Sequence, residues 1–170
     1  MGFTIENISK KYEDNIILDD VSYTFDEGTI YGLVGYNGVG KSTLAKIMAG
    51  RVEADKGKII INDKIESKWD IKEAMSSGVF HIDSYSTLLP KLSVDDNVIF
   101  SLNSSKDRSL IKDVLSIRKT IKKFHKLLQK YNIDLDTKIK SRELTFGLRY
   151  IVEILRASLN DPKFIIIDEI

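Results

Sequence analysis

The apolar positions of this chain change rhythm partway along it. Short bulky runs dominate the first eighty residues, and spacings of three and four take over beyond residue 90. The early runs, Phe3 to Ile8, Ile16 to Phe25, Thr29 to Val34 and Lys58 to Asn62, predict strands, the last following a turn at Asp55-Lys56-Gly57. Within them Ile30-Tyr31-Gly32-Leu33-Val34 has the composition of a buried parallel strand. Residues 70 to 77 predict a helix, and Val79-Phe80-His81-Ile82, after Gly78, predicts another buried strand.

The later pattern is helical. Ser93-Val94-Asp95-Asp96 is a helix start, with Ser93 as N-cap and acids in the first turn, leading into Val98, Ile99 and Leu102. After a polar break at 103 to 108, apolar residues from Leu110 through Ile117, Ile121, Phe124 and Leu128 to Tyr131 form the stripe of one long amphipathic helix whose lysines face water. A helix from about Thr145 to Leu159 and a turn at Asn160-Asp161-Pro162 follow, and then the run Phe164-Ile165-Ile166-Ile167, which predicts a central, buried parallel strand. Strands and helices mixed in this way define an α/β chain.

Composition narrows the picture. At 170 residues and 42% hydrophobic content the chain can bury a real core, with one domain as the default. Twenty-six basic residues against 25 acidic ones leave a net charge of +1, which supplies no long-range pull toward nucleic acid or an anionic membrane. The absence of cysteine excludes disulfides and thiolate metal sites and fits a reducing, cytoplasmic setting. No apolar run approaches the roughly 20 residues that cross a bilayer, so a membrane role would need a spanning partner.

Two segments carry chemistry. The first is Gly35-Tyr36-Asn37-Gly38-Val39-Gly40-Lys41-Ser42-Thr43, set between an apolar run and a helix in which Leu44, Ile47 and Met48 recur at helical spacing. Glycines let the backbone turn tightly, so that successive N–H groups and the positive end of a helix dipole converge on one anion. This is a polyphosphate cradle: Lys41 reaches the outer phosphates as a point charge, the Ser42 hydroxyl holds Mg²⁺, and Thr43 supports the first helical turn. The second segment is Asp168-Glu169, at the carboxyl end of the run 164 to 167, where open α/β sheets bind ligands. Beside a phosphate cradle, Asp168 is placed to hold Mg²⁺ directly or through water, and Glu169 to orient an attacking water as base.

With both segments in this order, residues 3 to 169 resemble the ATP-binding cassette (ABC) family, the motor subunits of ABC transporters. The resemblance implies a phosphate-loop NTPase fold with an antiparallel β subdomain, a parallel core sheet and a helical subdomain. A single domain would divide into residues 1–82 for the β subdomain and loop core, about 83–159 for the glutamine-loop region and helical subdomain, and 160–170 for the acidic strand. It also implies that Tyr12 stacks on adenine, joining Gly35, Asn37, Gly38, Gly40, Lys41, Ser42 and Thr43 as nucleotide-binding residues, with ATP and Mg²⁺ bound. Leu144-Thr145-Phe146-Gly147-Leu148-Arg149 looks like the family signature, through which Thr145 and Gly147 would serve the nucleotide of an opposing cassette. The wording is most similar to the first cassette of monosaccharide-importer ATPases.

Departures from the family pattern qualify these expectations. Counting back from Pro90, the glutamine that senses Mg²⁺ is Ser84, with Asp83 beside it; Ser84 would ligate through water, or Asp83 would substitute. Thr145 stands for a serine, Leu148 for a glutamine and Phe146 for a glycine. The family continues after its acidic pair with another strand and a switch histidine; His81 and His125 precede the pair, so neither is that residue. The chain therefore resembles a cassette incomplete at its C-terminus, in which Ser42 and Asp168 are expected to lose the scaffold that spaces them. The implied partners are a second cassette, an integral membrane permease and indirectly a solute-binding protein, without nucleic acid, at the inner face of the cell membrane.

Overall fold

The computed structural model describes residues 2–62, 64–66, 68–100 and 110–168, with only the backbone at 110–115. The chain divides into two compact units, one running to His81 and resuming at Pro162, the other Ile82–Asp161.

The first unit is built on a four-stranded antiparallel sheet of order β2-β1-β3-β4, formed by β1 (Gly2–Tyr12), β2 (Asn15–Asp26), β3 (Lys56–Ile61) and β4 (Lys64–Ile65). Alternation along β1 drives one face inward: Phe3, Ile5 and Ile8 are at most 1% exposed and meet Ile59 and Ile61 of β3. The turn expected at Asp55-Lys56-Gly57 is instead the start of β3. Gly57 has φ +95° there, and a Cβ would lie 2.6 Å from the Asn7 carbonyl, so the position requires glycine.

Onto this core pack α1 (Lys41–Met48), through Leu44 and Ile47, and α2 (Ile71–Ser76), through Ala74. Asp70 caps α2, its side chain accepting from the Glu73 amide at 3.0 Å. A second sheet pairs β5 (Val79–Ile82) with β6 (Phe164–Ile167), and Val79, Phe164 and Ile166 join the same core.

Two expectations about buried strands fail. Residues 29–36 form no strand, and Ile30 is 99% and Val34 93% exposed. A strand needs a ladder, and no described strand pairs with this segment, so its backbone and bulky side chains turn to water. Within it Tyr31 is anchored: its ring packs edge-on against Tyr23 and Phe25, and its hydroxyl accepts from the Asp26 amide at 3.0 Å. Likewise β6 is covered on one face only, since Ile165 and Ile167 are exposed while Phe164 and Ile166 pack inward.

The second unit is helical. It contains α3 (Val94–Phe100), α4 (Leu110–Lys130), a short 3₁₀ turn (Ser141–Glu143) and α5 (Phe146–Ser158). Val94, Val98, Phe124, Leu128, Val152 and Leu155 form its core, and Lys119, Lys122, Lys123, Lys126 and Lys130 of α4 face water. Ser93 caps α3, its hydroxyl accepting from the Asp96 amide at 3.1 Å. Of the expected helical stripe, Leu102 and the side chains of 110–115 lie outside the described residues. No described helix is long and apolar enough to cross a membrane.

Candidate functional site

The glycine loop turns into α1 at Gly40, which has φ +96° and where a Cβ would stand 2.9 Å from the Ile17 carbonyl. Only glycine fits so close to β2. Lys41, the first residue of α1, folds back over the loop and donates to the carbonyls of Gly35 and Tyr36, each at 2.8 Å. The amides of Lys41, Ser42 and Thr43 belong to the first turn, where a helix supplies no acceptor of its own, and no acidic side chain occupies that turn. A cavity of about 210 Å³ opens there, lined by Tyr12, Ile17, Asn37, Gly38, Gly40, Lys41, Ser42 and Thr43.

The expected loss of the Ser42–Asp168 scaffold does not occur. Ser42 Oγ donates to Asp168 Oδ1 at 3.0 Å, and Asp168 is buried. The two are held together because the elements that carry them, α1 and β6, share the first unit's core through Leu44, Ile47, Phe164 and Ile166. A hydroxyl and a carboxylate are hard oxygen donors, and such a pair beside a phosphate cradle fits Mg²⁺, whose other ligands are ordinarily waters and phosphate oxygens. No larger group of His, Asp or Glu able to hold a metal exists among the described residues. Glu169 lies outside them.

The remaining candidates belong to the second unit. Ser84 donates to Asp83 Oδ1 at 3.1 Å, and its carbonyl accepts from the Tyr150 hydroxyl at 2.5 Å. Thr145 caps α5, its hydroxyl accepting from the Leu148 amide at 3.4 Å. Gly147 sits in the first turn of α5 with nothing within 4 Å of the position a Cβ would take, beside an exposed Phe146. The open first turn is thus accessible to a ligand approaching α5 from outside.

Sequence reasoning missed Ile17 as a wall of the cavity. The hairpin joining β1 to β2 turns at Glu13-Asp14, with Tyr12 opposite Asn15 and Lys11 opposite Ile16, and this register returns Ile17 beside Tyr12. It also missed Glu153, a buried carboxylate in α5 that accepts from Ser86 Oγ at 2.7 Å and from the Thr87 amide at 2.5 Å. A charged residue on the apolar side of a helix stripe was the available signal.

A glycine-rich turn into a helix N-terminus, its lysine folded over the loop and a Ser–Asp oxygen pair at the helix start define a phosphate-loop nucleotide-binding class. The sequence profile of the ABC transporter family matches residues 18–170, and the chain belongs to that family. The arabinose import ATP-binding protein AraG of Rhizobium johnstonii is 33% identical over 163 residues, covering 96% of this chain but 32% of that relative. The lipopolysaccharide export system ATP-binding protein LptB of Escherichia coli K12 is 32% identical over 166 residues, 98% of this chain and 66% of LptB. The chain thus spans about a third of the arabinose import relative. Among solved structures, a nucleotide-free ATP-binding cassette from an ABC transporter superposes with a TM-score of 0.81 at 26% identity, over 99% of this chain and 69% of that one. The ADP conformation of another such cassette gives 0.78 at 26% identity, over 97% and 67%. The fold is that of an ABC ATPase cassette.

Proposed function

We propose that this chain binds and hydrolyses MgATP as the cassette, or part of the cassette, of an ABC transporter. The observation that carries the reading is the Ser42–Asp168 contact at 3.0 Å within reach of the loop that Lys41 closes. Tyr12 and Ile17 offer one end of the cavity to a base, and the first-turn amides and Lys41 offer the other to phosphates. On binding, Lys41 exchanges the carbonyls of Gly35 and Tyr36 for phosphate oxygens. Ser42 and Asp168 hold the metal site. Mg²⁺ supplies charge neutralisation at the phosphate oxygens. Glu169 orients the attacking water.

Sandwich dimerisation with a second cassette, in which Thr145 and Gly147 at the start of α5 face the nucleotide held by the partner, would couple turnover to an integral membrane permease. That arrangement places the chain at the inner face of the cell membrane, with a solute-binding protein as an indirect partner. The likeness to an arabinose import protein supports import of a sugar or similar small solute. The likeness to a lipopolysaccharide export protein supports export of a glycolipid instead.

A second reading, nucleotide binding without turnover by a regulatory module or a remnant of a cassette, draws on the exposed Ile30 and Val34 and on Ser84 in place of a longer side chain. The deciding experiment is MgATP binding and hydrolysis by the chain and by Lys41→Ala. Loss of binding in the variant supports the cradle, and retained micromolar binding overturns it. Glu169-dependent turnover favours the first reading over the second.

A further inference from the structure

The end of β1 is poorly held by its own sheet. Pairing with β3 stops at Ser9 opposite Lys56, so Lys10, Lys11 and Tyr12 are laddered on the β2 side alone, and that ladder is irregular between Ile8, Lys10 and Lys11. One residue takes over on the open side. The Asp55 amide donates to the Ser9 carbonyl at 2.9 Å, its Oδ2 accepts from the Lys11 amide at 2.7 Å, and its Oδ1 accepts from Lys10 Nζ at 2.7 Å. Lys10, only 15% exposed, is held so that its ammonium lies 5.5 Å from the centroid of the Tyr12 ring, which lines the nucleotide cavity. The hydrogen bonds from Lys10 and the Lys11 amide keep the Asp55 carboxyl below its ordinary value and therefore ionised at neutral pH.

We propose that Asp55 and Lys10 are positioning residues for base recognition: Asp55 fixes the pitch of the β1 end, and Lys10 sets and polarises the Tyr12 ring on which a purine stacks. This rests on the nucleotide reading of the cavity. A planar ring has two faces, and with the ammonium over one, the base takes the other. Two π-faces stacked directly repel through their negative quadrupoles. A cation behind one ring draws its density back and relieves that repulsion.

The experiment compares binding of ATP and of inorganic tripolyphosphate, both with Mg²⁺, to the chain and to Lys10→Met, Lys10→Arg and Asp55→Asn. Lys10→Met keeps the apolar stem and deletes the charge. It and Asp55→Asn are expected to weaken ATP about three- to tenfold while leaving tripolyphosphate within about twofold, and Lys10→Arg is expected to retain ATP binding. Equal weakening of both ligands, or no change in either, overturns the proposal. A parent chain that binds tripolyphosphate as tightly as ATP also overturns it and leaves the phosphate cradle standing. A parent chain that binds neither overturns the cradle as well.

Discussion

Ser42 Oγ and Asp168 Oδ1 lie 3.0 Å apart although 126 residues separate them in the chain. The contact joins the first turn of α1 to the carboxyl end of β6, and neither residue could reach the other unless Leu44, Ile47, Phe164 and Ile166 shared one core. Secondary structure alone would leave both side chains as isolated polar groups; packing turns them into a two-oxygen site.

Ser42→Ala separates metal binding from phosphate binding. The lost hydroxyl removes one hard donor and leaves Asp168, which is only 8% exposed, without its described partner. ATP affinity measured with EDTA is expected to change little, while the gain in affinity on adding Mg²⁺ falls by about tenfold, as for loss of one oxygen ligand of a site that depends on few protein donors. Titration with and without Mg²⁺ checks this, and an unchanged Mg²⁺ increment rules out Ser42 as a ligand.

What the sequence made legible follows from range. The turn of the glycine loop into α1, the Ser93-capped start of α3, the helix from Thr145 and the first two strands are local patterns, and the structure has them near where the residues imply. Ile30 to Val34 misled because a bulky run declares only that it wants burial; whether a neighbour is there to bury it is a property of other segments. Lys10 and Asp55 were invisible for the opposite reason. Asp55 reads as a turn residue and Lys10 carries no signal of its own, and only the end of β3 pairing at Ser9 reveals that Asp55 replaces a missing ladder.

Asp95 gives the helical unit a defined acid sensitivity. Burial pushes its carboxyl up, but hydrogen bonds from Lys138, at 2.8 Å, from His125, at 2.9 Å, and from Thr137 outweigh it and leave the group below its ordinary 3.8. Lys138 is raised in turn, with Asp96 and Asp136 also facing it. A carboxyl whose folded value is depressed stabilises the fold above its unfolded value, and that stabilisation is lost as pH falls through the folded value. Urea midpoints of the chain and of Asp95→Asn should therefore differ at pH 6 and draw together as pH falls below the ordinary 3.8. A difference that persists undiminished at pH 3 contradicts this account.

Glu153 joins α5 to the segment that carries Ser84. It is 3% exposed, and its two oxygens take hydrogen bonds from Ser86 Oγ, the Thr87 amide and Thr87 Oγ1, with Arg156 at 3.8 Å. Arg156, pushed down by burial and held up by Glu153, donates to Thr87 Oγ1 at 2.5 Å, and the Tyr150 hydroxyl grips the Ser84 carbonyl one turn earlier in α5. Glu153→Ala would take the carboxylate partner from the half-buried Arg156 guanidinium and leave the Thr87 amide unsatisfied, at an expected cost of about 3 kcal/mol, the upper end for an unsatisfied buried group. Glu153→Gln keeps an accepting oxygen and is expected to cost about 1–2 kcal/mol. Urea unfolding of the two variants measures both. A loss below about 0.5 kcal/mol in Glu153→Ala, as for a surface substitution, would mean that water replaces these bonds and that α5 does not hold the 84–87 segment in place.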